Sequence, residues 1–399
     1  MGIKFFDEFI FGTATSSHQI EGNNKWNDWW YYEQMGKLPY KSNKACNHWE
    51  LYKEDISLMH SLGYDGYRYR EIIELLFKSG ITPNVTLHHF TSPLWFMQKG
   101  GFAKEENLKY WEQYVETVVG ILKGVKLVAT FNEPMVYVMM GYLTAYWPPF
   151  VKSPFKAFKV AANLLKAHGL AYEILSSRLK VGIVKNIPIM LAASDMERDK
   201  KAAERADNLF NWNFLDAIWS GKFKGVLSTY TVPDSDVDFI GVNYYTASEV
   251  KYSWNPLKFF FDARLAELSE RKTQMGWSVY PKGIYEAIVK VSRYEKPIYI
   301  TENGIATLDD EWRKEFIVQH LQYVHKTIEE GYNVNGYFYW SLMDNYEWRE
   351  GLTPRFGLIE VDYTTFKRKP RESAYVYGEI AQKKEISDEL IRKYGLKGP

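Results

Sequence analysis

Two glutamates stand where a strand-forming run gives way to a chain breaker. Pro297-Ile298-Tyr299-Ile300-Thr301-Glu302-Asn303-Gly304 reads as a buried strand that stops at a carboxylate and turns at Asn-Gly. Lys126-Leu127-Val128-Ala129-Thr130-Phe131-Asn132-Glu133-Pro134 repeats the design, with proline as the breaker. A charge at the end of an apolar strand is costly unless it is paired or used. Two such carboxyls brought together can divide the work of a displacement. One protonates a leaving oxygen, and the other stabilises or attacks an electrophilic carbon. With the Asn, His, Tyr and Trp residues that end other strands, this pairing points to glycoside hydrolysis.

The elements that must bring them together follow from periodicity. Apolar runs at Phe9 to Thr15, Ile81 to Leu87, Lys126 to Phe131, Val181 to Ile187, Val237 to Val242, Ile298 to Thr301 and Gly336 to Trp340 read as strands, and Tyr64 to Tyr69 as a very short one. Helices are expected over His48 to Leu62, Arg70 to Ser79, Glu105 to Leu122, Ala157 to Leu175, Asp199 to Ser220, Pro281 to Val291, Asp310 to Glu329 and Ser373 to Ala381. Alternation repeated about eight times without a composition break predicts an α/β fold, a single (β/α)8 TIM barrel over residues 1–399. Strand C-termini gather at one face of such a barrel. Gln19, Arg68, His89, Asn132, Glu133, Asn243, Tyr245, Glu302 and Trp340 all fall at or just after a strand end, which makes them candidates for one pocket.

Composition narrows the partners. A net charge of +1 argues against nucleic acid. The 14 Trp and 30 Tyr suit either heavy core packing or a sugar site, since sugar faces stack on rings. The single cysteine, Cys46, excludes an internal disulfide. Asp7 and Glu8 interrupt the first apolar run, so no signal peptide is expected, and no stretch of 18 apolar residues predicts a transmembrane segment. A cytoplasmic location is the expectation. His88 and His89 are adjacent and face opposite ways on a strand, so no metal site is expected. There is no Gly-x-Ser-x-Gly elbow and no Gly-x-Gly-x-x-Gly after a strand, so neither a serine hydrolase nor a dinucleotide cofactor is expected. A barrel working through a strand-borne lysine has only Lys185 in its favour.

The motifs, taken in order, resemble family 1 glycoside hydrolases, most closely the archaeal, heat-adapted β-glycosidases. Phe131-Asn132-Glu133-Pro134 resembles the family's Asn-Glu-Pro motif, and Ile300-Thr301-Glu302-Asn303-Gly304 its Thr-Glu-Asn-Gly motif. The likeness extends to Phe11 through Gly22, to Gly241-Val242-Asn243-Tyr244-Tyr245, to Met275-Gly276-Trp277, to Tyr339 through Trp348, and to Arg355-Phe356-Gly357-Leu358. The resemblance implies a retaining, exo-acting β-glycosidase without a cofactor. Its substrate would be a small β-glycoside or short oligosaccharide with a terminal gluco, galacto, manno or fuco unit. Glu133 would be the general acid/base and Glu302 the nucleophile, with their carboxyls about 5–5.5 Å apart. Asn132, Tyr245, Arg68 and Asn243 would support them. Gln19, His89, Trp340, Glu347 and Trp348 would bind the glycone, with Trp277 and Phe356 lining the rest of the pocket. Phe90 stands where many relatives carry Trp.

One stretch departs from the family. Tyr67-Arg68 runs directly into Tyr69-Arg70-Glu71-Ile72-Ile73, and some twenty residues that the resemblance leads one to expect are absent. The second strand and its βα loop are therefore expected to be truncated. A barrel abolishes its edges by closing, so the shortening raises a second reading: a catalytically weak or inactive barrel that binds sugar or another ligand in a widened pocket. Exposed aromatics at Trp254, Phe259, Phe260 and Phe261 are either a loop over the core or a contact patch for a homo-oligomer.

Overall fold

The computed structural model of the chain describes residues 2–62 and 70–396. The expected strand Tyr64 to Tyr69, and Arg68 with it, lie outside the described residues. Seven strands form one curled, wholly parallel sheet. In chain order they are β1 (Ile10–Ala14), β2 (Asn84–His88), β3 (Leu127–Asn132), β4 (Lys180–Asn186), β5 (Phe239–Asn243), β6 (Ile298–Asn303) and β7 (Val334–Trp340). Their order across the sheet is β1-β7-β6-β5-β4-β3-β2. From β2 to β7 each strand therefore pairs with its chain neighbour, and the last returns beside the first, with Gly336 to Trp340 of β7 against Ile10 to Ala14 of β1. This is the wrap of a (β/α)8 barrel. The position between β1 and β2, where a second of eight strands would sit, is the one left unfilled among the described residues.

Helices cover the sheet because one face of each is apolar. Pro154–Leu175 starts at Ser153, whose side chain accepts the Lys156 amide, and carries proline in its first turn. It buries Ala157, Phe158, Ala161, Leu164, Leu165, Ala171 and Leu175. Asp310–Glu329 is capped by Asp309, which accepts the amides of Glu311 and Trp312. The predicted helices His48–Leu62, Arg70–Lys78, Lys282–Val291 and Glu372–Lys383 form within a few residues of their expected bounds.

The stretch expected as one helix from Asp199 to Ser220 is not one. An α-helix over Glu197–Asp207 passes through a π turn, Asn208–Trp212, into a second α-helix, Asn213–Ser220. The side chains responsible are visible. Asn211 donates to Asp207 Oδ1 at 2.6 Å and to the Pro188 carbonyl at 3.1 Å. Lys185 Nζ donates to the Phe210 carbonyl at 2.8 Å, drawing it toward the sheet. Side-chain insertion of this kind is a known cause of a widened turn.

The face carrying the strand C-termini is roofed by structure that periodicity did not reveal. Ile189–Ala192, Ala247–Tyr252 and Phe261–Leu265 make a small three-stranded sheet. The aromatics proposed as a contact patch belong to its hairpin region. Trp254 is 82% exposed there, whereas Phe259 is half-buried and packs on Phe158. A π turn at Met139–Leu143 extends the helix that follows Glu133.

Candidate active site

Glu133 follows the end of β3 and Glu302 lies in the last turn of β6. At both places the strand loses register with a neighbour. The β3–β4 ladder slips between Ala129 and Asn132, and β6 slips against β5 between Ile300 and Glu302 and against β7 between Ile300 and Asn303. Irregularities of this kind re-aim a side chain at a barrel rim. Glu133 also holds φ +45° and ψ 57°, a left-handed conformation disfavoured for a residue with a Cβ. Its amide is tied to the Val184 carbonyl at 2.9 Å, which holds it there. After Glu302 the chain passes so close to β7 that a Cβ on Gly304 would lie 1.7 Å from the Trp340 carbonyl oxygen. Only glycine fits there.

Both carboxyls line one cavity of 560 Å³, together with Gln19, His89, Phe90, Asn186, Tyr245, Trp277, Trp340, Glu347, Trp348 and Phe356. The size suits a small ligand. Around Glu133, Asn243 Nδ2 donates to Oε1 at 2.8 Å and Asn186 Nδ2 donates to the same oxygen at 3.2 Å. Asn243 also donates to Asn132 Oδ1 at 3.1 Å and accepts from Thr301 Oγ1 at 2.7 Å, so one amide joins β3, β5 and β6. Asn132 Nδ2 lies 3.2 Å from His89 Nε2. Tyr245 donates its phenol to Glu302 Oε2 at 2.6 Å.

Burial pushes both carboxyls above their ordinary range, and the charge on Glu133 adds to the push on Glu302. The amides of Asn243 and Asn186 and the Lys185 ammonium act the other way on Glu133. Like charges this close titrate as a pair. A carboxyl held above its ordinary range is what a general acid needs near neutral pH. The same upward push acts on Glu302, which must be ionised to attack as a nucleophile. Arg68, expected to support the carboxyl pair, lies outside the described residues.

The ring-lined end of the cavity is built around Trp348, which sits at φ +50° and is nearly buried. His89 stacks on Trp348 and on Trp340 with centroids 6.1 Å apart in each case, and Phe90 meets Trp348 edge-on at 5.3 Å. Gln19 Nε2 donates to Asn345 Oδ1 at 2.9 Å and to Glu347 Oε2 at 3.2 Å, while its Oε1 is buried without a partner. Glu347 is raised to about 8, first by burial and then by the charge on Glu133. On the other side, Trp277 packs on Tyr245 at 5.3 Å and on Phe356 at 6.1 Å. The structure therefore gathers every predicted site residue except Arg68, which is not described.

Two kinds of residue were not foreseen. Asn186 reaches Glu133 from the end of β4, where the strand-end rule that found Asn132 and Asn243 would have found it. Asp344, Arg355 and Arg371 brace the loop after β7. Asp344 is fully buried, 2.8 Å from Arg371 and 3.3 Å from Arg355. They come from distant points in the chain, and no local pattern pairs them. Among the described residues no group of three or more His, Cys, Asp or Glu is placed to hold a metal ion. No helix among them is long and apolar enough to cross a membrane.

A curled parallel sheet with a carboxyl pair at its strand ends, an amide network beneath them and a ring-lined cleft above defines a barrel glycoside hydrolase. The model of Glycosyl hydrolase family 1 matches residues 1–70 and 68–386. The chain belongs to that family and is a β-glycosidase. The two matched segments meet at residues 68–70, where the chain departs from the family wording. A beta-glycosidase from Pyrococcus horikoshii has a solved structure that is 72% identical and superposes with a TM-score of 0.98, over 100% of this chain and 99% of that one. Beta-glucosidase A of Thermotoga maritima is 32% identical, over 97% of this chain and all of that one. The family 1 β-glucosidase from Thermotoga maritima in complex with isofagomine lactam is 31% identical, with a TM-score of 0.90 over 97% of this chain and 100% of that one.

Proposed function

We propose that the protein is an exo-acting, retaining β-glycosidase that removes a terminal gluco, galacto, manno or fuco unit by double displacement. Glu302 attacks the anomeric carbon while Glu133 gives its proton to the departing aglycone oxygen. Glu133 then takes a proton from the water that releases the sugar. The supporting observation is the division of donors between the carboxyls. Both amides reach Oε1 of Glu133, so no described donor occupies Oε2, where a proton for the leaving group can reside. Glu302 instead receives the phenol of Tyr245, with a further favourable interaction from Asn243. The phenol stabilises the charged attacking form.

The glycone end follows from the same chemistry. Gln19 and the carboxyl of Glu347 line the cavity and offer polar partners to adjacent sugar hydroxyls, and Trp340 offers a ring face. That the Thermotoga maritima β-glucosidase was solved in complex with isofagomine lactam supports a small-molecule ligand for this chain. The test is pre-steady-state hydrolysis of an aryl β-glucoside. A burst of aryl alcohol is expected when deglycosylation limits turnover. Glu302→Gln should abolish the burst and lower kcat by at least about 10³-fold. Unchanged turnover in that variant overturns the assignment.

A further inference from the structure

Lys185 is a buried cation that the proposed reaction does not use. Its side chain leaves β4 on the side away from the cavity and is fully buried. It makes no ion pair among the described residues. Its ammonium donates to the Phe210 carbonyl at 2.8 Å and to the Asn186 carbonyl at 3.3 Å, and it lies 4.6 Å from the centre of the Phe210 ring. An ammonium held by carbonyls and a ring alone is expensive to bury. A methionine would fill the same space without that cost.

The placement gives the charge a purpose. Asn186, the next residue, presents its amide to Glu133 Oε1. Lys185 thus fastens the end of β4 to the π turn Asn208–Trp212, and so fixes the strand end that carries this donor. It also lies close enough to Glu133 to favour that carboxylate electrostatically.

We propose that Lys185 is a positioning residue for Glu133: it anchors the strand end bearing Asn186 and sets, through a charge behind the carboxyl, the pH range over which Glu133 alternates between acid and base. The proposal rests on the reading of Glu133 as the acid/base.

Every charged group facing the pair enters the balance. Asp207 faces Lys185 from the end of helix Glu197–Asp207, and is itself bonded to Lys290 at 2.9 Å and to Asn211 at 2.6 Å. Glu302, Glu347 and Tyr245 face Glu133 from across the cavity. Burial pulls Lys185 down to about 7, with the charges of Glu133 and Asp207 opposing. As pH rises through that value the cation disappears, and Glu133 then holds its proton more tightly. The alkaline limb of kcat/KM is thereby pushed outward in the wild-type enzyme.

The two charge variants therefore move that limb in opposite directions. Lys185→Met removes the cation at every pH and should shift the limb upward by roughly half a unit or more. Lys185→Arg keeps the cation at every pH and should shift it downward. A merely structural role predicts loss of activity at all pH values with the limb unmoved in both variants, and that result overturns the proposal. Independently of folding in the variants, the wild-type enzyme labelled with carbon-13 at lysine Cε should show one lysine titrating near neutrality. If every lysine titrates above about 10, the proposal also fails. Glu133→Ala, assayed with good and poor leaving groups and with added azide, separates the two failures. If poor leaving groups are unaffected, the acid/base reading itself is wrong. If they are lost while both Lys185 variants match the wild type, only the role of Lys185 is wrong.

Discussion

Glu347 shows how the site trades stability for function. Its carboxyl ionises near 4.5 in an unfolded chain but is raised to about 8 in the folded one. Below the lower value both states hold the proton and nothing changes. Between the two values unfolding releases a proton, so stability falls as pH rises, and the full cost is present above about 8. Glu347→Gln should therefore melt at the same temperature as the wild type at pH 4, and a few degrees higher at pH 9. Its kcat/KM should fall, because a hydroxyl partner has been weakened. Calorimetry at the two pH values together with steady-state kinetics checks both halves. The same residue shows what was legible locally. Glu347 and Trp348 are identifiable from the wording around them, but the upward push on Glu347 comes first from its burial in the folded site and then from Glu133, more than two hundred positions away.

At the scale of elements, the loop after β7 carries the glycone end of the cleft and is held by a buried charge cluster. Asp344 accepts from Arg371 at 2.8 Å, from Arg355 at 3.3 Å and from the Gly357 amide at 2.9 Å. Asp344→Asn leaves two guanidinium groups short of their anion. Breaking a buried pair by removing one partner costs about 3–5 kcal/mol. The expected outcome is a clearly lower melting temperature and a raised KM, because Glu347 and Trp348 lose their support. A melting temperature within a degree of wild type would contradict the bracing role. Strand and helix positions were largely readable here, since period 2 and period 3.6 are local properties. The π turn at Asn208–Trp212 was not, because it depends on Lys185 reaching across from β4. The small sheet over the cavity was missed for a similar reason. Its strands are short and half-exposed, and they pair only once the barrel has brought Ile189 beside Ala247.

At the scale of the whole molecule, two buried histidines couple the fold to acid. His168 is lowered to about 4 and His320 to about 3, both chiefly by burial. Their ordinary value is 6.5, so above it both states are neutral and the folded state bears no penalty. As pH falls below 6.5 the unfolded chain takes up protons that the folded chain refuses, and stability is lost down to the folded values. His320 bonds the Phe316 carbonyl through Nδ1, stacks on the Phe316 ring at 3.8 Å and leaves Nε2 without a partner. His320→Leu should narrow the difference in melting temperature between pH 7 and pH 4 relative to wild type. An unchanged difference would show that other groups govern the acid limb.

What the sequence determined by itself was the alternation of elements, the strand ends that carry Asn132, Glu133, Asn243 and Glu302, and the family they belong to. These are properties of short windows: an apolar run, a breaker, a motif. Tertiary structure alone decided that Asn186 and Asn243 converge on one oxygen of Glu133, that Tyr245 bonds Glu302, and that a lysine from β4 opens a distant helix. Each of these depends on a strand register or a loop path, and a register places residues tens to hundreds of positions apart at hydrogen-bond distance. The two carboxyls were visible as costs from the start. Only the closed arrangement of their neighbours shows how those costs are distributed between them.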